Sequence, residues 1–310
     1  KTLTFKRGDY GIDVTYKLKG IAADKADAYF QLVRDDKAPA GDPNMVSVFT
    51  GPAFYTDAQK FNKIKFADIA DGSVKFDKTA DNGWVAMIQH YFVSAWIPAK
   101  DSANVYTTRK SGNDNIIGFT GPQVTVAPGT QQKIEASLYV GPKIQKVLEQ
   151  VSPGLELTVD YGILTPISEP LFWLLDKLHQ MLGNWGWAIV ALVVLLKIAF
   201  YWLNASAYKS MAKMKAINPR VMEMRERLKD KPQQMQQEMM RIYREEKVNP
   251  MGGCFPIMIQ IPVFIALYWV LLSSVEMRNA PWIGWIHDLS TPDPFFILPL
   301  LMTASSLLQT

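Results

Sequence analysis

Seventeen consecutive residues, Trp187 to Leu203, carry one charged group, Lys197. As an α-helix this run is about 26 Å long, just enough to cross the apolar core of a bilayer. It is also too uniformly apolar for a globular helix, which turns one face to water. Phe255 to Val275 is a second such run, interrupted by Pro256, Gln260, Pro262 and Ser273, and Pro294 to Leu308 begins a third. Prolines are tolerated in a span where neighbouring helices or water satisfy the freed carbonyls. The predicted spans are therefore 187–203, 255–275 and 294–308, within a membrane region covering 185–310.

Charge sets the orientation. Residues 204–250 hold 11 Lys and Arg against 6 Asp and Glu, whereas 276–293 has Arg278 against Glu276, Asp288 and Asp293. By the positive-inside rule the 204–250 loop is cytoplasmic and the residues before the first span lie on the opposite side. A folded domain on that side requires a signal anchor upstream of Lys1, so the chain is expected to be a piece of a longer protein. Leu171 to Leu182 mixes apolar residues with Asp176, Lys177, His179 and Gln180, the pattern of an amphipathic helix in the interface, assigned to 163–184.

Within the cytoplasmic loop Met211, Met214, Ile217, Val221, Met224 and Leu228 recur at spacings of three and four, one apolar helical stripe. Asn218-Pro219 suits a cap and a first-turn proline, where the helix restarts. After the turn Lys229-Asp230-Lys231-Pro232, Met235, Met239 and Ile242 carry a returning helix to Asn249-Pro250. The prediction is a helical hairpin over 205–250. Its methionines either hold the two helices together or bind varied apolar segments adaptably. Its basic face is either merely solvated or meets anionic lipid or ribosomal RNA.

Lys197 also has two readings. A lysine at the centre of a span costs about 2.5–3.5 kcal/mol, which the ten Leu, Ile, Val and Phe residues of 187–203 offset at roughly 0.3–0.6 kcal/mol each. The side chain either snorkels towards headgroups near Asn204, about 10 Å along the helix, or faces a wet cavity and attracts acidic groups.

Residues 1–162 read as an antiparallel β-sandwich. Ile12, Val14, Tyr16 and Leu18 alternate, as do Ile64-Phe66, Val74-Phe76 and Val124-Val126, with the turn Pro128-Gly129 after them. A helix is predicted over 142–151 and a last strand over 155–161. Trp84 to Trp96 is read as buried core strand. One cysteine, Cys254, excludes a disulfide framework, and His90, His179 and His287 share no ligand spacing. Asp68, Asp71, Asp77 and Asp81 lack the fixed spacing of an acid–base pair. No phosphate-cradling glycine loop or nucleophile elbow is present. No catalytic residue, metal or cofactor is assigned. Two other classes were weighed. A small-solute transporter predicts a polar pathway open to both sides or inverted repeats, and no repeat is visible. A membrane-anchored carbohydrate-binding protein predicts convergent carboxylates in the sandwich.

Several segments together resemble one family. They are Gly83-Trp84-Val85-Ala86-Met87-Ile88-Gln89 through Ala95-Trp96-Ile97-Pro98, Leu157-Thr158-Val159-Asp160-Tyr161-Gly162, Gly183-Asn184-Trp185-Gly186, Asn249-Pro250-Met251-Gly252-Gly253-Cys254-Phe255-Pro256 and Ile286-His287-Asp288-Leu289-Ser290. In this order they are similar to the YidC membrane insertase family of the Gram-negative type. The resemblance implies a periplasmic β-supersandwich and a polytopic helical domain of the bacterial inner membrane. It also implies a positively charged groove open to cytoplasm and lipid. Lys197 occupies the position of the groove arginine, Gln260 is a second polar groove residue, and Ile261 and Pro262 belong to an apolar slide for the substrate's helix. Met211, Met214, Met224, Met235 and Met239 of the hairpin help receive substrates. The implied partners are nascent membrane proteins, the Sec translocon, the ribosome and the bilayer, with no specific nucleic-acid sequence. The family's first helix, the start of its periplasmic domain and its last two helices lie outside this chain. Three positions depart from the family pattern: lysine replaces the groove arginine, Val193 stands where a threonine is usual, and Trp202 follows Tyr201 where a proline is usual.

Overall fold

The computed structural model describes residues 1–20, 24–37, 49–229, 231–246 and 255–309. They form two compact units, Lys1–Asp160 with Ser273–Glu276, and Tyr161–Leu272 with Met277–Thr310.

The first unit is all-β apart from two short helices. Its strands are β1 (Thr2–Phe5), β2 (Gly11–Lys19), β3 (Asp24–Ala26), β4 (Tyr29–Asp35), β5 (Gly51–Thr56), β6 (Lys60–Lys63) and β7 (Thr79–Ala80). They continue with β8 (Trp84–Ile88), β9 (Phe92–Pro98), β10 (Asn104–Ser111), β11 (Asp114–Thr120), β12 (Val124–Val126) and β13 (Gln131–Pro142). Helix α1 (Phe66–Asp71) follows β6 and α2 (Gln145–Val151) follows β13. A seven-stranded sheet runs β1-β2-β13-β9-β8-β5-β6, a four-stranded sheet runs β4-β11-β10-β7, and β12 pairs with β3.

Alternation on β2 and β13 supplies the core. Leu138 lies opposite Ile12 on one side and Trp96 on the other. Ile12, Val14, Tyr16 and Leu18 meet Phe30, Ile117 and Phe119 of the smaller sheet. Every residue of β8 is buried, because both of its faces are covered. On the face away from the small sheet, Trp84 stacks on Tyr55 at 5.8 Å and donates its indole N–H to the Pro153 carbonyl (3.1 Å). Gly154 makes this cover possible: its φ is +78°, and a Cβ there would overlap the Tyr55 ring.

Two sequence expectations change here. Val74 and Phe76 pack against the core but join no sheet. Residues 155–158 form a 3₁₀ turn rather than a strand, with the Thr158 hydroxyl bonded to the Leu155 carbonyl (2.7 Å) and both residues buried. Burial there follows the spacing of three of a 3₁₀ turn, with Leu155 and Thr158 buried and Leu157 exposed, so the apolar-polar alternation of Leu155 to Tyr161 only imitates a strand. Lys143, 1% exposed at the end of β13, donates from Nζ to the Thr158 carbonyl (3.3 Å), and Lys63 bridges to Asp160. These polar ties fix the segment in place of a sheet ladder.

The second unit is helical: α3 (Thr165–Leu182), α4 (Trp185–Ala199), α5 (Tyr201–Arg227), α6 (Pro232–Glu245), α7 (Phe255–Ser273) and α8 (Ile297–Gln309). Helix α7 is long and apolar enough by itself to cross a membrane, and α8 is shorter. The run 187–203 is not one straight helix. Its axis turns by 65° at Phe200, between α4 and α5. Helix α8 starts at Ile297, three residues after the expected 294, because Asp293 caps it: Oδ1 accepts from Phe295 N (3.0 Å) and Oδ2 from Leu298 N (2.8 Å). Helix α5 continues through Pro219 without restarting. Ile217 and Val221, on either side of the proline, are both buried in the hairpin, and that packing outweighs the lost hydrogen bond. The predicted Asn249-Pro250 stop and the segment Met251 to Cys254 lie outside the described residues.

Candidate functional site

Helix α4 is entered through a cap built for it. Asn184 accepts from Trp187 N (3.1 Å), while its amide donates to the carbonyls of Pro281 (3.0 Å) and Trp282 (3.3 Å). Gly186 lets Trp282 close against the helix, since a Cβ there would overlap the indole. Trp187 and Trp282 meet edge to face at 5.7 Å, and His179 stacks on Trp185 at 3.9 Å. Beside this cap Ile189, Val190, Trp282, Trp285 and Leu298 help line an apolar hollow of about 530 Å³. Trp285 is oriented by donating to Asp293 (3.0 Å).

At the other end of α4 a single cation enters apolar surroundings. Lys197 sits in the last turn, where the carbonyl end of the helix favours a cation. Among the described residues it has no ion-pair partner. Val193, Leu196, Lys197 and Phe200 of α4 face Gln260, Val263 and Phe264 of α7 across a narrow cleft. The Lys197 ammonium lies 5.7 Å from the centre of the Phe264 ring. Outside the cleft Val193, Val194, Lys197, Ile198, Tyr201 and Trp202 border an open hollow of about 540 Å³. One cation and one amide thus converge between two otherwise apolar helices.

Helix α7 shows two different sides. Ala266, Leu267 and Val270 are buried, and the Ala266 carbonyl accepts from Ser168 of α3 (3.3 Å). Ile257, Met258, Ile261, Ile265 and Tyr268 are exposed. Ile261 is therefore on the open apolar flank, whereas Pro262 is half-buried within the helix. Sequence reasoning paired Lys197 with Gln260 and missed Phe264. Phe264 stands four residues after Gln260, one turn along the same face, and that spacing was the available signal.

The hairpin encloses its own small core of Ile217, Val221, Met224 and Ile242, with Met214, Leu228, Met235, Met239 and Tyr243 packed around it. Four of the five expected contact methionines thus serve helix packing. Met211 is exposed, as are Met222 and Met240. At the open end Arg220 of α5 donates to Glu246 (2.8 Å) and Glu245 (2.9 Å) of α6, and Arg241 donates to Glu245 (2.8 Å). These bonds hold the Glu245 carboxyl below its usual range. Of the acidic residues Asp68, Asp71, Asp77 and Asp81, Asp71 accepts from Ser73 N two residues ahead (2.9 Å).

A β-sandwich followed by apolar helices, with a lone cation held between two of them, defines a membrane-integrated protein with a large extramembrane domain. Residues 1–174 match the family model described as the YidC periplasmic domain, and residues 177–310 match that of the 60Kd inner membrane protein. The chain belongs to the YidC membrane protein insertase family. It is 54% identical to a protein named membrane protein insertase YidC from Dechloromonas aromatica, over all of this chain and 57% of that protein. Proteins of the same name from Aromatoleum aromaticum and Cupriavidus taiwanensis are 52% and 53% identical over all of this chain, covering 57% and 56% of their own lengths. The chain thus spans under two thirds of the length of the relatives it matches.

Proposed function

We propose that this chain forms the periplasmic sandwich and part of the wall of an intramembrane groove through which nascent proteins enter the bacterial inner membrane. The convergence of Lys197 and Gln260 in a cleft between α4 and α7 is the observation that carries this reading. A cation and an amide placed partway through the bilayer lower the apolar barrier that a substrate's hydrophilic tail must cross. Lys197 draws acidic tail residues into it. The exposed apolar flank of α7, including Ile261, then guides the substrate's own helix towards lipid.

No covalent step is needed. Burial of the substrate's apolar segment in hydrocarbon supplies roughly 25 cal/mol per Å². The membrane potential adds about 2.3 kcal/mol per 100 mV for each charge that moves fully across. In this reading residues 1–162 are periplasmic, 163–184 lie in the interface, and 185–310 form a multi-pass membrane domain with a cytoplasmic hairpin over 205–250. The exposed Met211, Met222 and Met240 offer substrates an adaptable apolar surface. The Sec translocon and the ribosome are the partners that the family resemblance suggests.

The test reconstitutes the full-length protein in proteoliposomes with a single-span substrate bearing an acidic tail, and scores insertion by protease protection. Lys197→Ala lowers insertion about tenfold or more, and Lys197→Arg retains it. Equal insertion by all three would reduce Lys197 to a snorkelling residue and remove the charged groove from the mechanism.

A further inference from the structure

Where the family resemblance expects an arginine, this chain has Lys197. The difference creates a positional problem. A guanidinium is a rigid fork that hydrogen bonds can hold in place, whereas an ammonium is a strongly hydrated point charge on a flexible stem. Lys197 is seven residues from Asn204, about 10 Å along the chain across the bend at Phe200, so its stem can reach towards the headgroup boundary. A lysine that did so would leave the cleft without its charge. Instead, Nζ lies over the Phe264 ring, 5.7 Å from its centre and within the range of cation–π attraction. Phe264 lines the same cleft as Lys197 and Gln260. The attraction comes from the negative face of the ring, and Phe264, 46% exposed, presents that ring on the open flank of α7 rather than in a sealed interior.

We propose that Phe264 is the positioning residue of the groove cation. Its π face retains the Lys197 ammonium beside Gln260 in competition with snorkelling. This inference rests on the reading of Lys197 as the charge that attracts substrate. It gives Phe264 a role separable from apolar bulk, because the π face can be weakened with little change in the shape of the ring.

The experiment places mono-, di- and trifluorinated phenylalanine at position 264 of the full-length protein, with Lys197 present and with Lys197→Ala. Insertion of the acidic-tailed substrate is measured in proteoliposomes. With Lys197 present, insertion falls stepwise along the series, by about two- to thirtyfold in total, the range of a cation–π contact from exposed to desolvated. Phe264→Trp retains insertion. In the Lys197→Ala background the series is flat. A flat series with Lys197 present, while Lys197→Ala is impaired, overturns the role of Phe264 and spares the groove. The same slope in both backgrounds overturns it too, by assigning Phe264 to packing. Unimpaired insertion by Lys197→Ala alone refutes the groove reading and this inference with it.

Discussion

Raising the pH from 7 to 9.5 should stabilise the sandwich through a single side chain, Lys143. Burial pushes its ammonium down to about 8, against an upward pull from Asp160 and a smaller downward push from Lys63. In the unfolded chain it returns to the ordinary lysine range, near 10.4. Between these two values the unfolded state binds more protons than the folded one, so stability rises with pH across that window. Integrating to pH 9.5 gives about 2 kcal/mol, some thirtyfold in the folding equilibrium. Tyr106 and Tyr139 act in the opposite direction, because burial raises both. At pH 9.5 the two tyrosines together contribute only about 0.3 kcal/mol. Comparison with Lys143→Met cancels that contribution, since both proteins contain the tyrosines. The assay is urea unfolding of residues 1–174, followed by tryptophan fluorescence at both pH values. The stability difference, wild type minus Lys143→Met, should increase by about 2 kcal/mol from pH 7 to pH 9.5. Parallel pH dependence of the two proteins would refute the assignment of a buried, poorly ionised lysine.

Two further outcomes are expected. Gly154→Ala should destabilise the sandwich by about 2–4 kcal/mol in the same assay, from the left-handed backbone and the clash with Tyr55; a loss below about 1 kcal/mol would mean that the 3₁₀ turn shifts freely. In the hairpin, Met224→Ala should lower the free energy of local opening by about 2–5 kcal/mol while Arg220→Ala costs under about 1 kcal/mol, since the methionine is buried and the ion pairs are exposed. Hydrogen exchange of α5 and α6 amides measures both, and the reverse ranking would show that charge rather than packing closes the hairpin.

Sequence pattern reported best where one physical period dominates. The alternation of Ile12, Val14, Tyr16 and Leu18 found the inner face of β2, and the methionine stripe found the hairpin core. It misled at Leu155 to Tyr161, where Lys143, fifteen residues before Thr158, satisfies a carbonyl that a neighbouring strand would otherwise satisfy. The bend at Phe200 left no trace either, because Ile198 to Leu203 are apolar on every side and show no change of face. Between α4 and α7, Lys197 was conspicuous as the one charge in an apolar run. Its partner was less so, since a phenylalanine in an apolar helix looks like any other; its spacing of four from Gln260 is the one sequence hint, and the distance to Nζ is what singles out Phe264.

The 65° turn at Phe200 also has a mechanical consequence. Helix α5 has 27 residues, so beyond the pivot it is an arm about 40 Å long. Rotation by 10° about Phe200 carries its far end through about 7 Å, yet displaces Lys197, one turn from the pivot, by only a fraction of that. A swing of the arm about this point would thus be geared down to a small adjustment beside the cation. A load applied at the hairpin tip, conversely, reaches the cleft with the leverage of the whole arm.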